Sequence, residues 1–255
     1  MSAFYNPKRS RNLYLPDADV PFKLSRSKLE LFSECPRCFY IDRRLGTGRP
    51  PGYPFNLNSA VDSLLKTEFD VHRAAGTAHP LQAEYGIDAV PAPHAELDDW
   101  RQNFRGVRYL HESTNLLVFG AIDDLWIDSQ GNYLVVDYKA TAKKEPVTSI
   151  DSPWQRGYKR QMEIYQWLLR RNGLSVSDTG YFVYCTGRPD AQAFDARIDF
   201  DVHVIAYEGD DGWVEEAIVA AHRCLNAGEV PEPGKDCDYC AYVAAVDDAI
   251  RDHRS

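Results

Sequence analysis

Apolar residues follow a helical period before residue 106 and a strand period after it, so the two parts of the chain predict different elements. Helical spacing runs over residues 27–46 and 57–75, where apolar side chains recur every three or four positions. An arm over residues 1–24 has no regular pattern, and residues 76–95, rich in Pro, Gly and Ala, predict a connector. The first part therefore predicts two helices between irregular segments.

Several residues mark where the first helix begins and ends. Ser27 and Glu30 have the spacing of a capping box, which predicts the start of this helix. Pro36 lacks the backbone N–H that a helix interior needs, so the helix breaks or restarts there. Gly46 is the expected end, and residues 46–56 predict a loop.

After residue 106, runs rich in β-branched and aromatic residues alternate with turn residues, which is typical of strands. Asn115 and residues 128–132 are the expected hairpin turns, so residues 106–140 predict a meander of three strands. Its third strand is apolar on both faces at 134–136 and is therefore central. The other segments predict a short helix at 95–103, helices at 152–173 and 212–228, strands at 179–187 and 196–207, and a short helix in the C-terminal tail.

This order of elements predicts an α/β fold with a mixed central sheet flanked by helices. The chain has 255 residues, of which 44% are hydrophobic, so we expect a single globular domain over residues 1–255. Since no apolar run has the length of a membrane span and the first residues lack a secretory signal, we expect a cytoplasmic protein. In that compartment six cysteines favour metal binding over disulfides.

The formal net charge of −9 argues against a nucleic-acid partner, but the charges are unevenly distributed. Residues 1–60 carry ten Lys/Arg against five Asp/Glu, and residues 139–171 carry eight against three, so each segment has a local charge of +5. Two basic segments on an acidic chain can hold a phosphate backbone locally. They are equally consistent with the solvated faces of helices.

The sequence VVDYKA at 135–140 places two charges at the end of an apolar strand. Asp137 and Lys139 are two positions apart, so their side chains project from the same face. A hairpin can bring Asp123 or Asp124 beside Asp137, and Mg²⁺ or Mn²⁺ removes the repulsion between two carboxylates. A lysine beside that metal can stabilise a pentavalent phosphate or help to deprotonate water. The alternative is a plain salt bridge between Asp137 and Lys139.

The wider context resembles the RecB-type branch of the PD-(D/E)XK nuclease superfamily, whose pattern is G-x-x-D, a hairpin, D-x-K and then Q-x-x-x-Y on the next helix. The matching residues are Gly120, Asp123, Asp137, Lys139, Gln161 and Tyr165. The resemblance implies a restriction-endonuclease-like core over residues 105–206. It also implies that the five polar residues of the match form the catalytic set. Strand alternation turns Asp124 away from the face of Asp123, so we expect a structural or solvent role for Asp124.

The resemblance extends to the metal ligands. The family carries a histidine on an early helix as a further ligand, and Asp62 stands at that position in this sequence. Asp62, Asp123 and Asp137 are therefore the expected ligands of Mg²⁺ or Mn²⁺. An aspartate in place of the histidine makes the site more acidic. It either completes an active site or marks the decay of one.

Two CxxC pairs, at 35–38 and 237–240, form a candidate metal site although 198 residues separate them. They resemble the iron–sulfur clasp of AddB-like and CRISPR-associated nucleases, with two plus two cysteines in place of one plus three. The ligands are then Cys35, Cys38, Cys237 and Cys240. The resemblance favours a 4Fe–4S cluster, and tetrahedral Zn²⁺ is the alternative. Either would join the clasp segments 25–55 and 229–245 across the nuclease core.

The helix after Lys139 interleaves aromatic and basic residues, which can stack bases and track phosphates on a single strand. The candidate nucleic-acid-binding residues are Trp154, Arg156, Tyr158, Lys159 and Arg160. The alternative is a pair of core aromatic residues beside solvating cations. The resemblance implies action on single-stranded DNA or DNA ends in repair, recombination or defence. RNA is an alternative substrate, and a helicase or another repair or defence protein is a candidate partner.

Three functions are open on the sequence alone. The first is an active metal-dependent DNA nuclease. The second is a catalytically inactive nucleic-acid-binding or scaffold module with a structural zinc or iron–sulfur site, which the aspartate at position 62 favours. The third is a zinc-stapled protein–protein interaction domain, which the acidic net charge favours.

Overall fold

A computed structural model describes residues 5–52 and 56–254. The helices in these ranges are α1 (Arg26–Glu34), α2 (Pro36–Tyr40), α3 (Asn56–Ala75), α4 (Pro80–Glu84), α5 (Leu97–Trp100), α6 (Arg156–Arg171), α7 (Gly212–Leu225) and α8 (Asp238–Arg254). The strands are β1 (Phe22–Ser25), β2 (Ala89–Pro91), β3 (Val107–His111), β4 (Leu116–Gly120), β5 (Asp124–Asp128), β6 (Tyr133–Ala142), β7 (Thr179–Gly187) and β8 (Phe200–Glu208). Short π- or 3₁₀-helical turns cover Ile41–Leu45, Glu112–Thr114 and Pro153–Gln155. Residues 53–55, which belong to the predicted loop and end the first clasp segment, lie outside the described residues.

The chain forms two compact units, each assembled from separate stretches of sequence. The first unit comprises residues 1–53, 110–118 and 212–255, and the second comprises residues 54–109 and 119–211. The first unit contains both cysteine pairs, and the second contains the larger sheet. No helix in the described part of the chain combines the length and the apolar character that a membrane span requires.

The second unit is built on a five-stranded mixed sheet with the order β2-β5-β6-β7-β8. The central pair, β6 and β7, is parallel, and the other neighbours are antiparallel. A parallel pair needs a long crossover connection, and α6 supplies it between these two strands. The predicted mixed sheet with flanking helices is therefore confirmed, and β6 is its middle strand.

The two faces of β6 have different neighbours because successive side chains point to opposite sides of a sheet. Leu134, Val136 and Tyr138 lie in a buried core with Leu65 and Phe69 of α3. Each such fully buried side chain contributes roughly 1.5–3 kcal/mol to folding. The alternate positions of the strand, which include Asp137 and Lys139, point to the opposite face, which is where α6 supplies their partners.

The second strand of the predicted meander is wrong as a single element, because β4 and β5 belong to different sheets. The chain leaves the sheet between them, where Ile122 N–H donates to the Trp100 carbonyl at 3.1 Å. Arg101 Nε donates to the Asp123 carbonyl at 3.0 Å. These partners satisfy backbone groups that a continuous strand would have paired within one sheet. The break places Asp123 just ahead of β5.

The connector predicted for residues 76–95 is also wrong, because it contains α4 and the edge strand β2. β2 pairs antiparallel with β5, with Ala89 opposite Asp128 and Pro91 opposite Trp126. Proline is tolerated here since an edge strand leaves one row of N–H groups without a ladder partner. A strand of three residues is too short to show a period in the sequence.

The start of α1 differs from the predicted capping box. The N-cap is Ser25, which makes no side-chain cap bond, while Ser27 and Glu30 lie inside the helix. Two other signals are confirmed. Pro36 begins α2 at its first position, and Gly46 ends the following π-turn with a left-handed φ of 82°.

The C-terminal tail contains a longer helix than its sequence predicts. In place of a short helix, α8 spans 17 residues, and none of the described side chains on it is buried within the protein. Charged residues recur through its second half, so its apolar pattern is weak. The four alanines of α8 have the highest intrinsic propensity for helix and favour its greater length.

Asp42 forms a buried charge cluster in the first unit that gives a stability prediction. Its carboxylate is 1% exposed and lies 2.8 Å from Arg9 Nη1, 2.8 Å from Lys28 Nζ and 2.9 Å from Arg43 Nη2. Burial alone would raise the pKa of Asp42, but the bonds and charges of Arg43 and Lys28 outweigh it and hold that pKa well below its usual value.

Replacing Asp42 by asparagine should therefore lower the free energy of unfolding by about 3 kcal/mol at neutral pH, because three cations lose their buried partner. Since the folded pKa is depressed, this contribution is present above the unfolded pKa of about 3.9 and is lost as the pH falls below it. Urea unfolding of the wild type and the variant, at neutral pH and at a pH below about 3.9, measures the change in the free energy of unfolding. The exposed Asp17→Asn is the control, and an equal effect of the two substitutions would contradict the prediction.

Candidate functional site

Asp137 and Lys139 lie side by side on β6 and form an ion pair. Asp137 is completely buried and the side chain of Lys139 is 14% exposed. Gln161 of α6 bridges the pair: its Nε2 donates to Asp137 Oδ1 at 2.6 Å, and its Oε1 accepts from Lys139 Nζ at 3.5 Å. The amide thereby fixes both charged groups from the neighbouring helix.

Gln161 and Tyr165 share one face of α6, as their spacing of four residues requires. Gln161 Nε2 also lies 3.2 Å from the Tyr165 hydroxyl, to which it donates. Tyr165 is 3% exposed, so its hydroxyl is held within the second unit. The structure thus brings together Asp137, Lys139, Gln161 and Tyr165, all four named from the sequence.

Asp62 and Asp123 meet at a lysine that the sequence reasoning missed. Lys66 Nζ lies 2.8 Å from Asp62 Oδ2 and 3.5 Å from Asp123 Oδ1. The other oxygen of Asp123 accepts the backbone N–H of Tyr138 at 2.9 Å, which ties Asp123 to β6. The available signal was that Lys66 follows Asp62 by four residues on α3, which places both on one helix face.

The charges of this site shift the pKa values of two of its groups. Burial and repulsion from Asp123 raise the pKa of Asp62, and Lys66 only partly opposes them. Burial would lower the pKa of Lys139, but attraction to Asp137 and Asp123 outweighs it and raises that pKa. Lys139 is therefore a cation at neutral pH, suited to stabilising negative charge rather than to accepting a proton.

A buried charge network lies behind Asp123 and was not found from the sequence. Asp124 is completely buried, and its carboxylate accepts bonds from Arg73, Arg101 and the Tyr138 hydroxyl. Burial first, and the charge of Asp124 second, raise the pKa of Tyr138 well above its usual value. Of the two roles expected for Asp124, the structural one is correct, because this side chain does not reach solvent.

The donor set at this site fits a hard divalent cation. Asp62, Asp123 and Asp137 offer carboxylate oxygens, the ligands that Mg²⁺ and Mn²⁺ prefer. Their charges are presently compensated by two ammonium groups, with Lys66 between the first two carboxylates and Lys139 against the third. Within the described residues the three carboxylates do not converge as tightly as the four cysteines do.

The four cysteines of the two CxxC pairs converge in the first unit, so the predicted joining of the N- and C-terminal segments is confirmed. All four Sγ atoms lie within 4.8 Å of one another. Cys35 Sγ is 3.7 Å from Cys240 Sγ, and Cys38 Sγ is 3.6 Å from the sulfurs of both Cys237 and Cys240. The chain thus contains a compact four-sulfur metal site.

Backbone hydrogen bonds favour the thiolate form of one of the four cysteines, Cys35, whereas burial raises the pKa of Cys38 and of Cys240. Cys35 Sγ accepts the N–H of Cys38 at 3.4 Å and the N–H of Gly234 at 3.1 Å. Burial would raise the pKa of Cys35, but these bonds outweigh it and lower the pKa to about 6. A Cβ on Gly234 would lie 2.2 Å from the Glu34 carbonyl, so this close approach requires glycine. Arg49 adds a positive charge 3.4 Å from Cys237 Sγ.

The distances between the four sulfurs can be compared with those of two kinds of metal centre. Tetrahedral Zn²⁺ binds thiolates at about 2.3 Å, which corresponds to sulfur–sulfur separations of roughly 3.8 Å. Three of the six sulfur–sulfur separations, at 3.6–3.7 Å, agree with that value, and all four sulfurs lie within 4.8 Å of one another. A four-iron cluster is ligated at the corners of a cube and holds its cysteines farther apart. These separations are compatible with four thiolates around a single tetrahedral ion.

The predicted nucleic-acid-binding residues differ in their surroundings. Trp154 is 56% exposed, and its ring makes an edge contact with Tyr158 at 5.8 Å. Lys143 lies over Trp154 at 5.1 Å and Lys139 over Tyr158 at 4.6 Å. The three basic residues of the set also differ. Lys159 forms an ion pair with Asp151, Arg160 also interacts with another group, and the side chain of Arg156 is exposed.

Residues 55–245 match the PD-(D/E)XK nuclease superfamily, and the chain belongs to this superfamily. The match begins after the first cysteine pair. The residues that it includes are Asp62, Lys66, Asp123, Asp124, Asp137 and Lys139. A solved structure described as "Crystal structure of SSO0001" is similar with 15% identity and a TM-score of 0.37, over 87% of this chain and 84% of that chain. That level of likeness carries no argument about function. No curated protein matches the sequence.

Proposed function

We propose that the protein is a Mg²⁺- or Mn²⁺-dependent deoxyribonuclease that hydrolyses phosphodiester bonds in single-stranded DNA or at DNA ends. The observation that carries the proposal is the contact set of Asp137, Lys139 and Gln161, with Asp123 tied to the same strand. The ion pair between Asp137 and Lys139 does not need two further aspartates beside it in order to be stable. Together with membership of a nuclease superfamily, this arrangement favours catalysis over a plain salt bridge.

The roles of the residues follow from their charges and contacts. Asp62, Asp123 and Asp137 would hold the divalent cation, which supplies Lewis-acid stabilisation of the phosphate when it is bound. Lys139, kept charged by its neighbours, offsets the negative charge that develops on the phosphate oxygens. Gln161 positions the Lys139 ammonium and the Asp137 carboxylate through hydrogen bonds, and the Tyr165 hydroxyl in turn positions Gln161.

An aromatic and cationic path supports a single-stranded substrate. It is formed by Lys143, Trp154, Tyr158 and Lys139, each within ring-contact distance of the next. The exposed ring of Trp154 offers a stacking surface to an unpaired base, and the lysines offer charge to the phosphates. Bases in a duplex are stacked on one another and cannot use such a surface.

Replacing Trp154 by alanine should weaken binding of single-stranded DNA about tenfold and leave duplex binding nearly unchanged, because one base–aromatic stack is worth about 1–3 kcal/mol. Fluorescence anisotropy with labelled oligonucleotides of both kinds measures this. Phe194→Ala is the matched control, since Phe194 is another exposed aromatic residue, 72% accessible, in the same unit. Equal losses for single strand and duplex, or for both variants, would contradict the proposed path.

The four cysteines hold a structural Zn²⁺ in this proposal, with the 4Fe–4S cluster as the alternative that the family resemblance favours. The sulfur spacing of 3.6–3.7 Å supports zinc. Four reduced thiols also fit the reducing cytoplasm, where we place the protein. Metal analysis of the purified protein decides the matter: zinc with no visible charge-transfer band is expected, whereas iron with inorganic sulfide would support the cluster.

A catalytically inactive nucleic-acid-binding or scaffold module is the second candidate. The four-cysteine site favours it, because such a site stabilises a fold whether or not the other unit is active. Digestion of single- and double-stranded DNA with Mg²⁺ or Mn²⁺, against a chelated control, separates the two candidates. Binding without digestion, weakened by salt, would support the inactive module.

A further inference from the structure

Lys66 lies between two aspartates, unlike a lysine on a solvated helix face. Its side chain is 21% exposed, and its ammonium group contacts carboxylates from two separate elements, Asp62 of α3 and Asp123 ahead of β5. The contact with Asp62 alone would be an ordinary pair between neighbouring turns of a helix. The contact with Asp123 joins α3 to the strand that carries Asp137 and Lys139, because Asp123 also accepts a backbone N–H from that strand.

Other cations near these carboxylates are already held. Lys139 is paired with Asp137 and donates to Gln161. Arg101 is bound to the carboxylates of Asp70 and Asp124 and to the backbone oxygen of Asp123. Lys66 is the cation placed between the carboxylate groups of Asp62 and Asp123 themselves. Both of those residues belong to the ligand set of the proposed nuclease.

We propose that Lys66 is a built-in counter-ion that competes with the divalent cation for Asp62 and Asp123 and so limits its affinity; this inference rests on the proposed function. The formal charges support competition. Asp62, Asp123 and Asp137 carry −3 and Lys139 carries +1, so a divalent cation in place of Lys66 brings the sum to zero. A divalent cation together with Lys66 at the same carboxylates leaves +1 and sets two cations against each other.

The competition has a functional consequence. A divalent cation held by Asp62 and Asp123 would take the carboxylate oxygens that Lys66 now contacts, and the released ammonium group would be available to a phosphate. Lys66 and the ligands would therefore together determine the concentration of divalent cation at which the site becomes occupied. A low affinity for the metal would then result from competition with the charge of Lys66 and not from the lack of a ligand.

Direct metal binding tests this inference without reference to activity. Isothermal titration of the full-length protein with Mn²⁺ should show about tenfold tighter binding for Lys66→Gln than for the wild type, and near wild-type binding for Lys66→Arg, which keeps the charge. In EDTA, Lys66→Gln should melt at a lower temperature than the wild type, and Mn²⁺ should raise its melting temperature by more than it raises that of the wild type.

Two further variants make the outcomes distinguishable. Lys28→Gln removes a lysine that is also 2.8 Å from an aspartate, but in the other unit, and should leave Mn²⁺ affinity unchanged. Asp123→Asn should lose Mn²⁺ binding. Equal or weaker binding by Lys66→Gln overturns the inference alone. If neither the wild type nor Lys66→Gln binds Mn²⁺, or if Asp123→Asn binds it normally, the proposed function and the inference both fail.

Discussion

Replacing Asp137 by asparagine should reduce the rate of DNA cleavage by at least about 10³-fold. The substitution removes a proposed metal ligand and the partner of Lys139 while keeping the size of the side chain, and each charged group at such a centre is worth about 10²–10³ in rate. Single-turnover cleavage of labelled single-stranded DNA in saturating Mn²⁺ measures the loss.

Asp201→Asn is the matched control for this experiment. Asp201 lies on β8 of the same sheet, its side chain is 37% exposed, and its carboxylate is 3.9 Å from Arg188. Its replacement should leave the rate unchanged. Because Asp137→Asn leaves a buried cation without its partner, its unfolding free energy should fall by about 3 kcal/mol, so rates are compared well below both melting temperatures. Retention of more than a tenth of the activity by Asp137→Asn would remove Asp137 from the catalytic set.

Replacing Cys240 by serine should unfold the clasp region of the first unit. A structural four-thiolate site contributes about 10–16 kcal/mol of apparent binding free energy in small metal-dependent folds, and three ligands retain only part of it. Cys240 is only half-buried, so the substitution removes a ligand with little loss of packing. Limited proteolysis followed by mass spectrometry should show new cleavage within residues 229–254 and a loss of bound metal.

Cys224→Ser provides the control for the clasp. Cys224 belongs to the same unit and is also half-buried, but its thiol lies outside the four-sulfur group and contacts the Pro36 carbonyl at 3.8 Å. Its replacement should keep the full metal content and the wild-type proteolysis pattern. If a chelator that removes the metal leaves the wild-type pattern unchanged, the site has no role in the stability of this unit.

Local periodicity explains which parts of the candidate catalytic site the sequence could predict. Asp137 and Lys139 are two positions apart on a strand, and Gln161 and Tyr165 are four apart on a helix, so each pair shares a face by geometry alone. Their meeting follows once α6 crosses between β6 and β7. The same periodicity places Lys66 beside Asp62, but it cannot distinguish a lysine that reaches a second carboxylate from one that reaches water.

Contacts between distant parts of the chain explain what the sequence could not predict. Asp124 is joined to Arg73 and Arg101, which are 51 and 23 residues away, and no spacing rule connects them. The break between β4 and β5 depends on Trp100 and Arg101, which hold the backbone of residues 122 and 123. The cysteine pairs are a different case, because two CxxC motifs predict one shared metal site even across 198 residues.

In the proposed function, this site hydrolyses DNA with the help of a divalent cation and a charged lysine. The most direct measurement is digestion of labelled single-stranded DNA by the wild type and by Lys139→Met, each in Mg²⁺, in Mn²⁺ and in EDTA. We predict cleavage by the wild type in either metal, none in EDTA, and a rate at least about 10²-fold lower for Lys139→Met. Equal rates for the two proteins, or no cleavage by the wild type in either metal, would contradict the account.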